Sequence, residues 1–380
     1  MKVSTKYDYI IIGTGIAGLQ LAYELSKDSF FDKKSIALID KSKKNTNDKT
    51  LSFWEKGQGN WDSIVTKSWD EALVYACKKK HSLKLLPYTY KTINALDFYK
   101  KIKSELSKSV NFYFINEEVI SVEDTNKPKI KTNKNFYEAK HVFDSRVPKD
   151  FFYKNKFITL IQHFRGWVIK TDSPAFESNK FTMMDFRLKD GNQTCFMYIL
   201  PFNKNKALVE FTYFTKNLVE DKTYESYLKK YISNQLNIKK YKIFETENGS
   251  IPMTNFRFER YSKNNITKIG TAGGWVKGST GYSFKHTEKK VTSIIYNLKN
   301  NLDPSFQIFK KRFKFYDKVF LKVLHDENHK GEWIFSQFYS KNPLERIFKF
   351  LDEETSFTEE LKIMKSLFSF SFIKAFFKTL

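Results

Sequence analysis

The chain has 380 residues, long enough for two domains or one large composite, and its hydrophobic fraction of 41% allows a sizeable core. It carries 66 Lys and Arg against 42 Asp and Glu, a net charge of +24. The basic residues are mostly Lys, spread along the chain without an RNP, zinc-finger or clustered-Arg motif, so they suit an anionic membrane surface and no nucleic-acid partner is expected. Cys77 and Cys195 are too few for a disulfide framework or a Cys-based zinc site, and fit a reducing cytosol. Aromatic residues reach 17%, with 38 Phe, and any surplus beyond the core would suit an apolar ligand.

The opening MKVSTKYDYIIIGTGIAGLQLA imitates a secretion signal. Asp8 breaks its basic part and three glycines break its apolar part, so a strand, a turn and a helix running to about Lys27 are expected. Gly13, Gly15 and Gly18 form a GxGxxG turn between them. Gly13 permits the tight turn, Gly15 lets backbone approach a pyrophosphate, and Gly18 lets helix and strand pack closely. A second strand, SIALID, ends on Asp40, 22 residues after Gly18, where a carboxylate can accept from ribose hydroxyls. This is the start of a dinucleotide-binding unit. FAD is preferred to NAD, because the fingerprint opens the chain and a second glycine-rich element, GTAGGWVKGSTGY (270–282), returns late.

Residues 41–50 read as a loop, 94–106 as a helix, and 111–115, 119–124 and 141–146 as strands. From 157 to 261 the pattern becomes an antiparallel meander of FTMMDFR, TCFMYILPF and ALVEFTYF, with KDGN and NKNK as turns. A helix over 224–236 and an extended GSIPMTNF follow, then a helix from about His286 to Leu298. The remainder, 301–380, is mostly helical. No segment approaches the ~18 uninterrupted apolar residues of a membrane span. The predicted class is α/β: a Rossmann-like domain over 1–150 and 262–300, an antiparallel sheet domain over 151–261, and a helical C-terminal part.

Two groups of acids compete for attention. Glu210 lies inside ALVEFTYF, where alternation puts it on one face with Leu208, Thr212 and Phe214. Burial there pushes a carboxyl towards its neutral form. Asp185, two strands away and about 10 Å distant at ~4.8 Å per strand, is a candidate partner or relay. Glu245 and Glu247 read more simply as loop acids. In FLDEETS, Ser356 and Glu359 match a capping box, and Asp352, Glu353 and Glu354 read as acids before a helix N-terminus.

Ten pieces in order resemble the FAD-dependent lycopene β-cyclases of the bacterial type: GTGIAGLQLA, ALID, LSFW, FDSR, QHFRGW, MDFR, YILPF, LVEFT, GSIPMT and GGWVKGSTGYSF. The resemblance implies FAD, active when reduced, with NADPH as electron source. It implies contacts to the cofactor from Gly13, Gly15, Ile16, Ala17, Gly18, Asp40, Lys41, Asp144, Arg146, Gly273, Gly274, Ser279, Thr280 and Gly281. It implies cyclisation of the linear ψ-ends of lycopene to β-ionone rings without net redox, at the cytoplasmic side of the membrane. Glu210 inherits the acid role from the L-x-E-[ED]-T motif; Phe211 replaces the second acid found in plant relatives. An FAD-dependent isoprenoid reductase or hydroxylase consuming NADPH is the alternative. The Phe-rich, Lys-dotted tail 365–380 suits an interfacial helix on a lipid bilayer.

Overall fold

The computed structural model describes residues 4–153 and 157–380. Its first sheet grows from the apolar run of Thr5–Ile12, which pairs in parallel with Ile36–Ile39 on one side and Phe136–Asp144 on the other. Phe112–Ile115 and Ile266–Lys268 extend the parallel part, and Lys129–Thr132 and Val119–Glu123 add antiparallel strands. A strand covered on both faces must be apolar throughout. Ile11, Ile36 and Leu38 accordingly face the helices Ile16–Ser26, Ala95–Leu106 and Phe284–Lys299, whereas Ile10, Ile12 and Ile39 face Ile130 and Tyr137.

The second sheet has seven strands in the order Lys242–Thr254, Thr159–Lys170, Lys206–Thr215, Cys195–Asn203, Lys180–Asp185, Glu71–Ala76, Lys79–Lys84. The meander is present, but two of its neighbours differ from expectation. Glu71–Ala76 and Lys79–Lys84 fall within 1–150 yet belong to this sheet, the former pairing in parallel with Lys180–Asp185. Val209, Phe211 and Tyr213 point to the helix Asp221–Asn234, with its Leu228 and Ile232. Leu208 and Phe214 point the other way, into a core shared with the C-terminal helices Lys311–Asp326, Gly331–Lys341, Leu344–Leu351, Phe357–Ser366 and Phe370–Thr379. Each fully buried aliphatic or aromatic side chain contributes roughly 1.5–3 kcal/mol, so this two-sided burial fixes the sheet's register firmly. A small sheet, Thr50–Lys56 with Tyr88–Asn94 and Lys67–Trp69, completes the strands.

Among the described residues no helix is long and apolar enough to cross a membrane.

Candidate active site

The glycine turn lies at the carboxyl end of the first strand, where open α/β sheets form their crevice. Gly13 has φ +96°, and a Cβ there would meet Ser145 Oγ at 2.0 Å. A Cβ on Gly18 would meet the Gly13 carbonyl oxygen at 2.0 Å. Gly15 caps the helix that Ile16 and Ala17 begin, its hypothetical Cβ meets nothing within 4 Å, and the helix start has neither a side-chain cap nor an acid in its first turn. The free N–H groups therefore face an open groove, an anion site by geometry and dipole. Asp40 lies at the groove's rim, its Oδ2 accepting from Thr14 N at 2.7 Å and Thr14 Oγ1 at 3.0 Å. Lys41 turns outward to Glu118.

Asp144 ends the strand beside the turn and is buried against Arg146 and Lys268, at 3.0 and 2.8 Å. Burial would raise its carboxyl, but these two cations outweigh it and hold it below the ordinary range. Asp144 and Arg146 thus brace the crevice. Ser145, between them, reaches the cavity and hydrogen-bonds the Ile12 carbonyl. The late glycine segment closes the other side: Gly273 and Gly274 make a turn, with Gly274 at φ +70°, and Lys277–Tyr282 forms a second turn containing Ser279, Thr280 and Gly281. Thr280 Oγ1 and Gln162 Oε1 are buried polar atoms without a hydrogen-bond partner, and both residues line the cavity. An open Gly15 groove, a free helix start and unused polar atoms together fit a dinucleotide cofactor.

The cavity measures about 1030 Å³ and runs continuously from Ile16, Ser145 and Thr280 to Glu210 on the second sheet. Its far walls are Phe164, Met183, Phe196, Phe214, Phe335 and Tyr339. Glu210 is 7% exposed. Burial first, then the neighbouring Glu247, drive its carboxyl well above the ordinary carboxyl range. Thr212 Oγ1 donates to it at 2.6 Å.

Glu247 is not a loop acid. It lies in the Lys242–Thr254 strand, and its Oε2 accepts from Thr50 N at 2.9 Å and Thr50 Oγ1 at 2.8 Å. Glu210 and Glu247 both stand opposite Gly166 of the intervening strand. Tyr198 is Glu210's register partner on the other side. Its hydroxyl is 2.8 Å from that of Tyr90, which in turn is 3.3 Å from Tyr282. These phenols, Tyr90 buried and the other two half-buried, carry no local motif, like Glu247 and Thr50; only the sheet order brings them together.

Asp185 does not join Glu210. Its strand contains a register shift between Thr182 and Asp185, which sets Asp185 opposite Met197 and hence on the face of Phe211. A one-residue bulge moves every following side chain to the other face. There Asp185 is wholly buried, bound to Arg187 and accepting from Tyr231 Oη at 2.5 Å. Removing Asp185 leaves the buried Tyr231 hydroxyl without its acceptor, whereas Arg187, 39% exposed, can turn to water. Asp185→Ala is expected to cost about 1–3 kcal/mol in denaturant unfolding, the loss appearing as stability rather than as a changed pH–activity profile.

In the FLDEETS stretch the capping box forms between Ser356 and Glu359. Of the acids before it, Asp352 is buried and Glu353 half-buried, whereas Glu354 is exposed and pairs with Lys289. Burial pushes Asp352 up to about 6 beside Lys289, whereas Lys277 overcomes burial and holds Glu353 at about 2. Glu353, through Lys277, anchors the late glycine segment.

A family model described as lycopene cyclase protein matches residues 8–376. Neoxanthin synthase, chloroplastic, of Solanum tuberosum is 25% identical over 306 residues, covering 73% of this chain and 57% of that protein. Capsanthin/capsorubin synthase, chromoplastic, of Capsicum annuum is 24% identical over 311 residues, with the same coverage. The chain thus spans little more than half the length of these curated relatives. In fold it is similar to a geranylgeranyl bacteriochlorophyll reductase-like protein from Thermoplasma acidophilum, with TM-score 0.63 and 15% identity over 100% of both chains. A flavoprotein/dehydrogenase from Cytophaga hutchinsonii gives 0.64 and 12%, covering 95% of this chain and 96% of the other. The family match takes in the glycine turn, the strand of Glu210 and the C-terminal helices, and the chain belongs to the lycopene cyclase protein family.

Proposed function

We propose that this chain is a flavin-dependent carotenoid cyclase that converts the linear ψ-ends of lycopene to β-ionone rings, giving β-carotene by way of γ-carotene. The observation that carries this reading is a buried Glu210, its carboxyl pushed well above the ordinary range by burial and then by Glu247, in an apolar cavity that begins at a dinucleotide turn. An alkene is a very weak base, so its proton donor must be an acid held dry. The O–H bond of Glu210 breaks as a C–H bond forms at the terminal double bond. The π pair of an internal double bond closes the ring, and loss of a ring proton restores a neutral product, an isomer of the substrate. Tyr198, Tyr90 and the Phe walls line the cavity in which the cation would form, and aromatic rings attract cations.

Gly13, Gly15 and Gly18 would hold FAD against the helix start, with Thr280 and Gly281 on the opposite wall of the crevice; flavin reduced by NADPH would supply negative charge that favours a cationic intermediate. Purified protein given lycopene and limiting NADPH should form many rings per NADPH consumed. One-to-one consumption would identify a reductase or hydroxylase instead.

The substrate dissolves in bilayers, and the C-terminal helix is built to lie on one. Ala375 and Thr379 are buried, and Lys318 bonds the Thr379 carbonyl, fixing one face to the protein. Phe368, Phe370, Phe377 and Leu380 are 72%, 79%, 69% and 80% exposed, among the exposed Lys374 and Lys378. This apolar face with a basic rim suits peripheral attachment at the cytoplasmic side of the bacterial membrane. Deleting 366–380 should release the protein from anionic vesicles in a flotation assay. Unchanged flotation removes the tail from this role.

A further inference from the structure

Glu247 has no part in the reaction above, yet its placement is specific. Glu210 and Glu247 sit on strands that never pair with each other, meeting across the one position between them that has no side chain. A Cβ on Gly166 would come within 3.3 Å of both Glu210 Cβ and Glu247 Cγ. The groups acting most strongly on the two acids are each other, Thr212, Thr50 and Glu245, none of them a cation. Burial raises both carboxyls, Glu210 buried and Glu247 half-buried, and the two hydrogen-bond each other, so they hold one proton between them.

Their surroundings decide where it sits. Glu247 receives an N–H and an O–H from Thr50, the donors a carboxylate needs. Among the described residues, Glu210 receives only the Thr212 hydroxyl. The proton therefore resides on Glu210, which donates to Glu247.

We propose that Glu247 is a positioning carboxylate that keeps the catalytic proton on Glu210 and draws it back there after each ring closes, so that one carboxyl serves first as acid and then as base. The inference rests on Glu210 being the proton donor. When Glu210 gives up its proton, two carboxylates face each other over Gly166, and their repulsion makes Glu210 a strong base. The ring C–H bond then breaks, its electron pair forms the ring double bond, and the proton moves to the Glu210 carboxylate. Proton and charge return to their starting places, and no other base is required.

The remaining titratable groups that face the pair do not substitute for it. Tyr198 and Tyr282 are phenols that burial drives above their ordinary range, so they stay neutral. Glu245 turns to Asn47, and Lys49 is engaged by Asp48.

The test is an infrared titration of the protonated-carboxyl band in the full-length flavoprotein, assigned by its loss in Glu210→Gln, alongside the pH dependence of ring formation. In wild type the band should persist through neutral pH. In Glu247→Gln it should titrate at lower pH, and the alkaline limb of activity should move the same way, with about tenfold or greater loss on that side. Glu247→Asp, which keeps the charge, should recover part of the shift. An unmoved band and limb in Glu247→Gln would overturn the proposal, even if that variant were less stable. A band that moves in a protein forming no rings would uphold the carboxyl pair and reject the cyclase reading.

Discussion

Glu210→Gln is expected to abolish ring formation, by roughly 10²–10⁴-fold, while leaving the protein as stable as wild type or more so. The amide keeps the shape of the side chain and removes only its transferable proton. The gain in stability follows from proton linkage. Burial, then Glu247, raise the carboxyl in the native state, so the native chain binds a proton that the unfolded chain has released. Wild-type stability must therefore fall as pH rises from the ordinary carboxyl range through the native value. The Gln variant has no such slope at this site. Thermal melts at successive pH values should show the variant's advantage growing towards alkaline pH. A residue that merely held the sheet together would give the opposite result, lower stability with activity reduced only in proportion.

The second and third glycines of the nucleotide turn should fail in different ways. Gly18→Ala places a Cβ 2.0 Å from the Gly13 carbonyl oxygen, a backbone atom that cannot swing aside. It should destabilise the fold by about 3 kcal/mol and lose flavin as a consequence. For Gly15→Leu, the Cβ meets no protein atom within 4 Å, and Gly15 has φ −77°, open to any residue. This variant should melt at the wild-type temperature but bind FAD roughly ten- to a hundredfold more weakly, because its side chain occupies the groove. Equal effects of the two substitutions on stability would mean that the groove at Gly15 is packed rather than open.

How legible each feature was in the sequence depends on the distance over which its cause acts. The strand Thr5–Ile12, the glycine turn and the helix Ile16–Ser26 follow from adjacent residues, and they form where the periodicity and glycines place them. Glu210 was legible because its conflict is local: an acid inside an apolar strand. Glu247 was not, because its meaning comes from a strand order that puts Thr159–Lys170 between two segments distant in sequence, with Gly166 as the gap. Asp185 misled for a related reason. Strict alternation carries it to the face of Glu210, and a single bulge, silent in the sequence MMD, carries it away. The strands Glu71–Lys84 have ordinary composition, and only their parallel pairing with Lys180–Asp185 assigns them to the second sheet. The acids at 352–354 read as charges before a helix N-terminus, and it is the buried Lys277, 76 positions away, that draws Glu353 inward.

The most direct measurement is pigment analysis after expression in a lycopene-accumulating host. The account predicts conversion to β-carotene by the wild-type chain and unchanged lycopene with Glu210→Gln. Lycopene left untouched by the wild type, or cyclised equally well by the Gln variant, would contradict it.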